Sequence, residues 1–163
     1  MHTDSNKYLE YLVEEYSDTI YRLAMSRTRN KENAEEVYQE VFLRLARKLP
    51  EFESKEHEKA WLIKVTINCS KNLLSSKHLK NNAELKENDN IVLDENDGKN
   101  DVYFAVLDLP LKYRTVIHLF YYEGYKIEEM SKILEANTNT IKSWLSRARE
   151  KLKTKMQGGL DDE

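Results

Sequence analysis

The segment NTNTIKSWLSRAREKLK, residues 137 to 153, gathers amides, hydroxyls and cations at helical spacing. At ~100° per residue, Ile141, Leu145, Ala148 and Leu152 share one side of a helix. The opposite side carries Asn139, Ser143, Ser146, Arg147 and Glu150, flanked by Thr140, Lys142 and Arg149. Amides and guanidiniums match the donor and acceptor pattern of base edges, hydroxyls bond to either, and lysines neutralise phosphates. That combination suits the major groove of DNA. For Lys151, Lys153 and Lys155 a solvated helix end is an equal explanation, because the helix dipole favours cations there.

A second set of residues with the same kind of chemistry recurs at helical spacing near the middle of the chain. Lys64, Asn68, Lys71, Ser75 and His78 fall on one outward stripe, opposite Leu62, Val65, Cys69 and Leu73. A third set is Glu36, Gln39, Glu40, Leu43 and Arg47, a polar face with one apolar residue, turned away from the stripe Ala34, Val37, Val41, Leu45 and Leu49. Catalytic chemistry finds no comparable grouping. None of His2, His57, His78 and His118 follows a Glu by three residues, as a di-iron bundle requires. Glycines stand only at 98, 124, 158 and 159, so no Gly-rich phosphate loop exists. Cys69 has no paired base evident in the sequence. No catalytic residue, metal site or cofactor is expected.

The elements that must hold these sets are helical, since apolar residues repeat at three and four rather than at two. Leu9, Leu12, Tyr16, Ile20 and Leu23 line a first helix; the Ala34 to Leu49 stripe lines a second, which Pro50 ends. A third helix is expected from about Trp61 to His78, with a loop before it over ESKEHEKA, residues 53 to 60. Then come a helix around Val102 to Leu107, a break at LDLP, a helix over Tyr113 to Tyr122 and a turn at Gly124. Two last helices, separated by EANT, bear the inward stripes Ile127, Met130, Leu134 and Ile141 to Leu152, which is a helix-turn-helix pattern. The fold class expected is all-α, with two small helical domains joined by a flexible linker.

Net charge is -3 over 163 residues, but the charge is segregated. Residues 59 to 80 hold five lysines and no acid, and residues 138 to 155 hold six cations against Glu150 alone. Between them residues 81 to 101 contain seven acids, two lysines and six asparagines with few apolar residues, a composition expected to stay unfolded. A lone cysteine fits a reducing compartment, and the N-terminus has neither the basic start nor the apolar stretch of a signal peptide. With no apolar run of membrane-spanning length, the chain reads as cytoplasmic and not inserted in a membrane.

In order and spacing from about Tyr8 to Leu152, the sequence resembles the extracytoplasmic-function (ECF) group of bacterial RNA polymerase sigma factors. AEEVYQEVFLRLARKL is similar to that group's core-polymerase-binding helix, its acid, Gln-Glu and Phe falling on Glu36, Gln39, Glu40 and Phe42. WLIKVTINCSKNLLSSKH resembles the helix that reads the minus-ten element, and LDLPLKYRTVIHLFYYEGYKIEEMSKILEANTNTIKSWLSRAREKL the region that reads the minus-thirty-five element. The resemblance implies a polymerase-binding and minus-ten domain over 1-80, a linker over 81-101, a minus-thirty-five domain over 102-156 and a disordered tail over 157-163. It implies core RNA polymerase and promoter DNA as partners, a monomer within the holoenzyme, and, as is common in the group, an anti-sigma factor. It also implies that Asn68 lies where a base flipped from the non-template strand is read, in a pocket shaped by residues 53 to 60.

Four positions depart from the group: Glu36 replaces a more usual Asp, Glu135 and Asn139 replace Gly, and Trp144 replaces an Arg after Ser143. Trp144 thereby removes an expected phosphate contact, while Trp61, alone at the expected start of its helix, is assigned to packing. The rival class is a non-sigma helix-turn-helix regulator whose N-terminal helices bind another protein. A repressor binds its operator alone, whereas a sigma factor needs core polymerase.

Overall fold

The computed structural model describes residues 2–80 and 101–161. The chain divides into two compact units. The acidic linker expected over 81 to 101 lies outside the described residues except for Asp101, which opens a helix.

The first unit is three helices: α1 (His2–Thr28), α2 (Lys31–Arg47) and α3 (Lys55–Lys80). Leu12, Tyr16, Ile20 and Ala24 of α1 pack with Ala34, Val37, Val41 and Leu45 of α2 and with Leu62 and Cys69 of α3. Arg29 ends α1 in the left-handed region at φ 58, which reverses the chain in one residue. Asn30 then caps α2, its Oδ1 accepting from the Asn33 amide at 3.1 Å. α2 stops at Arg47, three residues before Pro50, and Leu49 reaches the core from the connection that follows.

α3 begins at Lys55, not near Trp61, so most of the expected loop over 53 to 60 is helix. The cause is local. The Ser54 Oγ accepts from the His57 amide at 3.1 Å, and Glu56 and Glu58 in the first turn suit the positive end of the helix dipole. α3 is also buried more broadly than its apolar stripe suggests. Ile63, Thr66 and Ser70 are as inaccessible as Leu62 and Cys69, because α3 packs against both α1 and α2. The buried hydroxyls are satisfied within the helix, Thr66 donating to the Leu62 carbonyl at 2.7 Å and Ser70 to that of Ile67 at 2.8 Å. Across the interface, Arg27 Nε donates to Ser70 Oγ at 2.5 Å. Burial pulls the Arg27 guanidinium down to about 10.

The second unit comprises α4 (Asp101–Leu107), α5 (Leu111–Ile117), a π-helical segment (His118–Tyr122), α6 (Ile127–Leu134) and α7 (Thr138–Asp161). Its core joins Val106, Leu107, Leu109, Val116, Ile117 and Leu119 to Met130, Ile133, Ile141, Leu145 and Ala148. The helix expected over Tyr113 to Tyr122 is thus an α-helix that widens in its second half, where the Glu123 amide donates to the His118 carbonyl at 3.1 Å. Gly124 follows at φ +72, a conformation that suits glycine.

Between α6 and α7 the turn is only Glu135, Ala136 and Asn137. Glu135 takes the left-handed conformation at φ 53, ψ 45, so the backbone that glycine would favour is kept with a side chain on it. The Ala136 amide donates to the Ser131 carbonyl at 3.1 Å, while the Ser131 hydroxyl donates to the Ala136 carbonyl. Asn137 caps α7, its Oδ1 accepting from the Asn139 amide at 2.8 Å. Asn139 itself lies in ordinary helix. α7 continues to Asp161, through the residues from 157 onward where a disordered tail is expected; a helix adds one hydrogen bond per residue and outruns its last packed side chain.

Candidate functional site

On α2 the expected polar face is present. Glu36, Gln39 and Arg47 are exposed, Glu40 is half-buried, and Leu43 is 48% exposed, one of few large apolar side chains so open to solvent. Glu36, Gln39, Glu40 and Leu43 wall a groove of about 350 Å³ between α2 and α3, floored by Val37, Cys69 and Leu73, while Arg47 lies outside its lining. Besides the apolar floor, two polar lining residues, Arg44 and Asn72, are not in the expected set. Arg44 was legible as the partner of an acid four residues earlier: its Nε lies 3.0 Å from Glu40 Oε1. That hydrogen bond raises the Arg44 pKa. Lys77 of α3 reaches back to the Asn33 side chain and to Glu36, 3.9 Å away, fixing the position of α2 against α3. Burial pushes the Cys69 thiol up, so it remains a neutral floor.

On α3, Asn68, Lys71 and Ser75 are exposed and Lys64 is half-buried, all on the side opposite the buried stripe. The backbone of His78 is helical, but its side chain lies outside the described residues. Trp61 packs: its ring lies 5.7 Å from that of Phe52, and both rest on the core. Tyr8 Oη donates to Glu58 Oε2 at 3.0 Å and Tyr16 Oη to the Lys55 carbonyl at 3.3 Å, so α1 holds the first turn of α3. Burial pushes both phenols up to about 12, with the Glu58 carboxylate adding to the effect.

On α7, Asn139, Lys142, Ser146 and Arg147 are exposed, and Thr140 and Ser143 are half-buried at the edges of the same face. Arg149 is exposed too, yet it is engaged inside the unit. Its Nε donates to Tyr121 Oη at 2.7 Å, and its guanidinium lies 5.4 Å from the Phe120 ring centroid. Trp144 is half-buried, with the Lys112 ammonium 5.8 Å from its ring centroid. The arrangement is a helix-turn-helix with a polar, cationic outer face on its second helix.

Two models of one family match these two units in order: sigma-70 region 2 over residues 12–79 and sigma-70 region 4 over residues 99–152. The chain belongs to the sigma-70 family, in its ECF group. Curated relatives are similar over most of this chain. RNA polymerase sigma factor SigV of Bacillus subtilis is 26% identical over 141 residues, 83% of each chain. The ECF sigma factor SigM of the same organism is 26% identical over 95% of this chain and 99% of its own. Among solved structures, the sigma factor RpoE of Bartonella quintana, in complex with the anti-sigma factor NepR, has a TM-score of 0.74. It is 21% identical, over 93% of this chain and 98% of that one. CnrH, in complex with the cytosolic domain of CnrY, has a TM-score of 0.67 at 18% identity, over 94% of this chain and 90% of its own. The region 2 match decides against the rival regulator, because a helix-turn-helix alone has no use for it. This sigma factor contains, among its described residues, no helix long and apolar enough to cross a membrane.

Proposed function

We propose that this sigma factor binds core RNA polymerase through the α2–α3 groove and presents two DNA-reading faces to a promoter. Glu36, Gln39, Glu40, Leu43 and Arg47 are the polymerase contact, the exposed Leu43 supplying apolar area within a polar rim. Lys64, Asn68, Lys71, Ser75 and His78 take the minus-ten element. Asn139, Thr140, Lys142, Ser143, Ser146, Arg147 and Arg149 take the minus-thirty-five element, Arg149 from its seat against Tyr121. The observation that carries this reading is the order of the two family regions on two units, each with an acid-poor outer face on the family's reading helix.

The chain's work is binding rather than catalysis. Capturing an unstacked base on α3 offsets part of the cost of opening the duplex, so melting needs no nucleotide hydrolysis by this subunit. It acts in the cytoplasm as a single copy per polymerase, and an anti-sigma protein is its third partner, as NepR is for the RpoE structure it resembles. The test is transcription in vitro with bacterial core polymerase on genomic fragments. Discrete transcripts that require this protein support the reading; sequence-specific DNA binding by the protein alone, with no effect on core polymerase, refutes it.

A further inference from the structure

Trp144, half-buried at the edge of the reading helix, brings no charge of its own. A residue of α5 supplies a charge beside it. Lys112, exposed in the first turn of α5, holds its ammonium 5.8 Å from the Trp144 ring centroid and 5.2 Å from that of Tyr113. Lys151, two turns beyond Trp144 on α7, brings a second ammonium to 6.0 Å from the same Tyr113 ring. Tyr113 and Lys151 also line a shallow depression with Arg147, Glu150 and Lys155, the latter paired with Asp108. Two cations, Lys112 and Lys151, therefore share the Tyr113 ring, with Arg147 and Glu150 near Lys151. Contact with aromatic faces orients an ammonium at an exposed site without neutralising it. Among the described residues Lys112 pairs with no carboxylate; its contacts are the two rings.

We infer that Lys112 is a DNA-backbone contact of the upstream reader, an ammonium carried on α5 and steered by Trp144 onto a phosphate at the edge of the minus-thirty-five element. This rests on the sigma-factor reading above. Its place on α5, outside the helix-turn-helix, is why motif matching along α7 misses it. A lysine stem is flexible; lying across two rings restricts it before DNA arrives, so less side-chain freedom is lost on binding. As a phosphate contact it adds affinity and positions the helix but carries no base preference.

The experiment measures binding of reconstituted holoenzyme to a promoter duplex over a range of salt concentrations, with wild type, Lys112→Met and Lys112→Arg. Met keeps an unbranched stem on the rings and drops the charge. Lys112→Met should weaken binding several-fold at low salt and flatten the slope of log K against log salt by about 0.9, one phosphate's worth. Discrimination between the intact and a scrambled minus-thirty-five element should stay as in wild type. Lys112→Arg should restore the slope. An unchanged slope in Lys112→Met overturns the inference and leaves Lys112 as a clasp between α5 and α7. So does a loss of base discrimination at unchanged slope. If wild-type holoenzyme itself shows no preference for the promoter, the sigma-factor reading is what fails.

Discussion

Replacing Glu135 with glycine should stabilise the C-terminal unit, and the size of the gain follows from one dihedral angle. At φ 53, ψ 45 a residue with a Cβ crowds its own carbonyl, at about 1–2 kcal/mol relative to the right-handed region. Glycine relieves that strain but has more freedom to lose on folding, which returns about 0.4–1 kcal/mol. The net expectation is a gain of about 0.5–1 kcal/mol, or about 2–8 °C in the melting temperature of a unit this small. Glu135 is exposed, so no core packing is lost, though the residue has an interaction of its own. Glu135→Ala removes any contact of the carboxylate while keeping the Cβ, and the difference between the Ala and Gly variants isolates the backbone term. Differential scanning calorimetry of the full chain gives both numbers from the transition of the C-terminal unit. If Glu135→Gly melts no higher than Glu135→Ala, the left-handed strain is not there and the account of this turn is wrong.

Reversing Glu36 and Glu40 together to lysine should reduce capture of core polymerase in a pull-down while leaving helical circular dichroism unchanged; equal capture would move the contact off the α2 groove. Arg147→Ala should lower holoenzyme affinity for the promoter by about 1–3 kcal/mol if the guanidinium meets a base edge, read by titration on duplex templates. Asn68→Ala should instead reduce permanganate reactivity of the melted strand, and a pre-melted bubble should not restore base selectivity at that position. The Tyr8 and Tyr16 phenols, raised from 10 to about 12, are neutral in the folded unit over a range where the unfolded chain ionises them. Their contribution is complete below pH 10 and declines as pH climbs to 12, so Tyr16→Phe should flatten the alkaline fall in stability measured by urea unfolding.

The apolar stripes of α1, α2 and α7 are legible because each buries one side against a neighbour, which writes a single period into the sequence, whereas on α6 Ile133 is buried in place of the expected Ile127 and Leu134. α3 is less legible, since α1 and α2 cover it from two directions and the second covered strip is Ile63, Thr66 and Ser70. Thr and Ser read as surface until their hydroxyls are seen to bond within the helix. The start of α3 was hidden by the opposite problem: Ser54 followed by two glutamates is a cap signature in a stretch too polar to show a stripe. The widened turn at His118–Tyr122 leaves no periodic mark at all. On the DNA-reading helix, the outward residues follow from the stripe behind them, whereas Lys112 becomes visible only when α5 and α7 are brought side by side.

The widened turn also bears on which changes of chain length this unit can absorb. In a regular helix, losing one residue rotates everything beyond it by ~100° and points core side chains into solvent. His118–Tyr122 already holds one residue more than an α-turn needs. Removing Phe120 would let the segment close as ordinary helix, with Val116 and Ile117 before it and Met130 and Ile133 after it still facing the core. Deletion of a single residue therefore has a natural home here, where the chain can shorten while the spacing of the DNA-reading helix stays fixed.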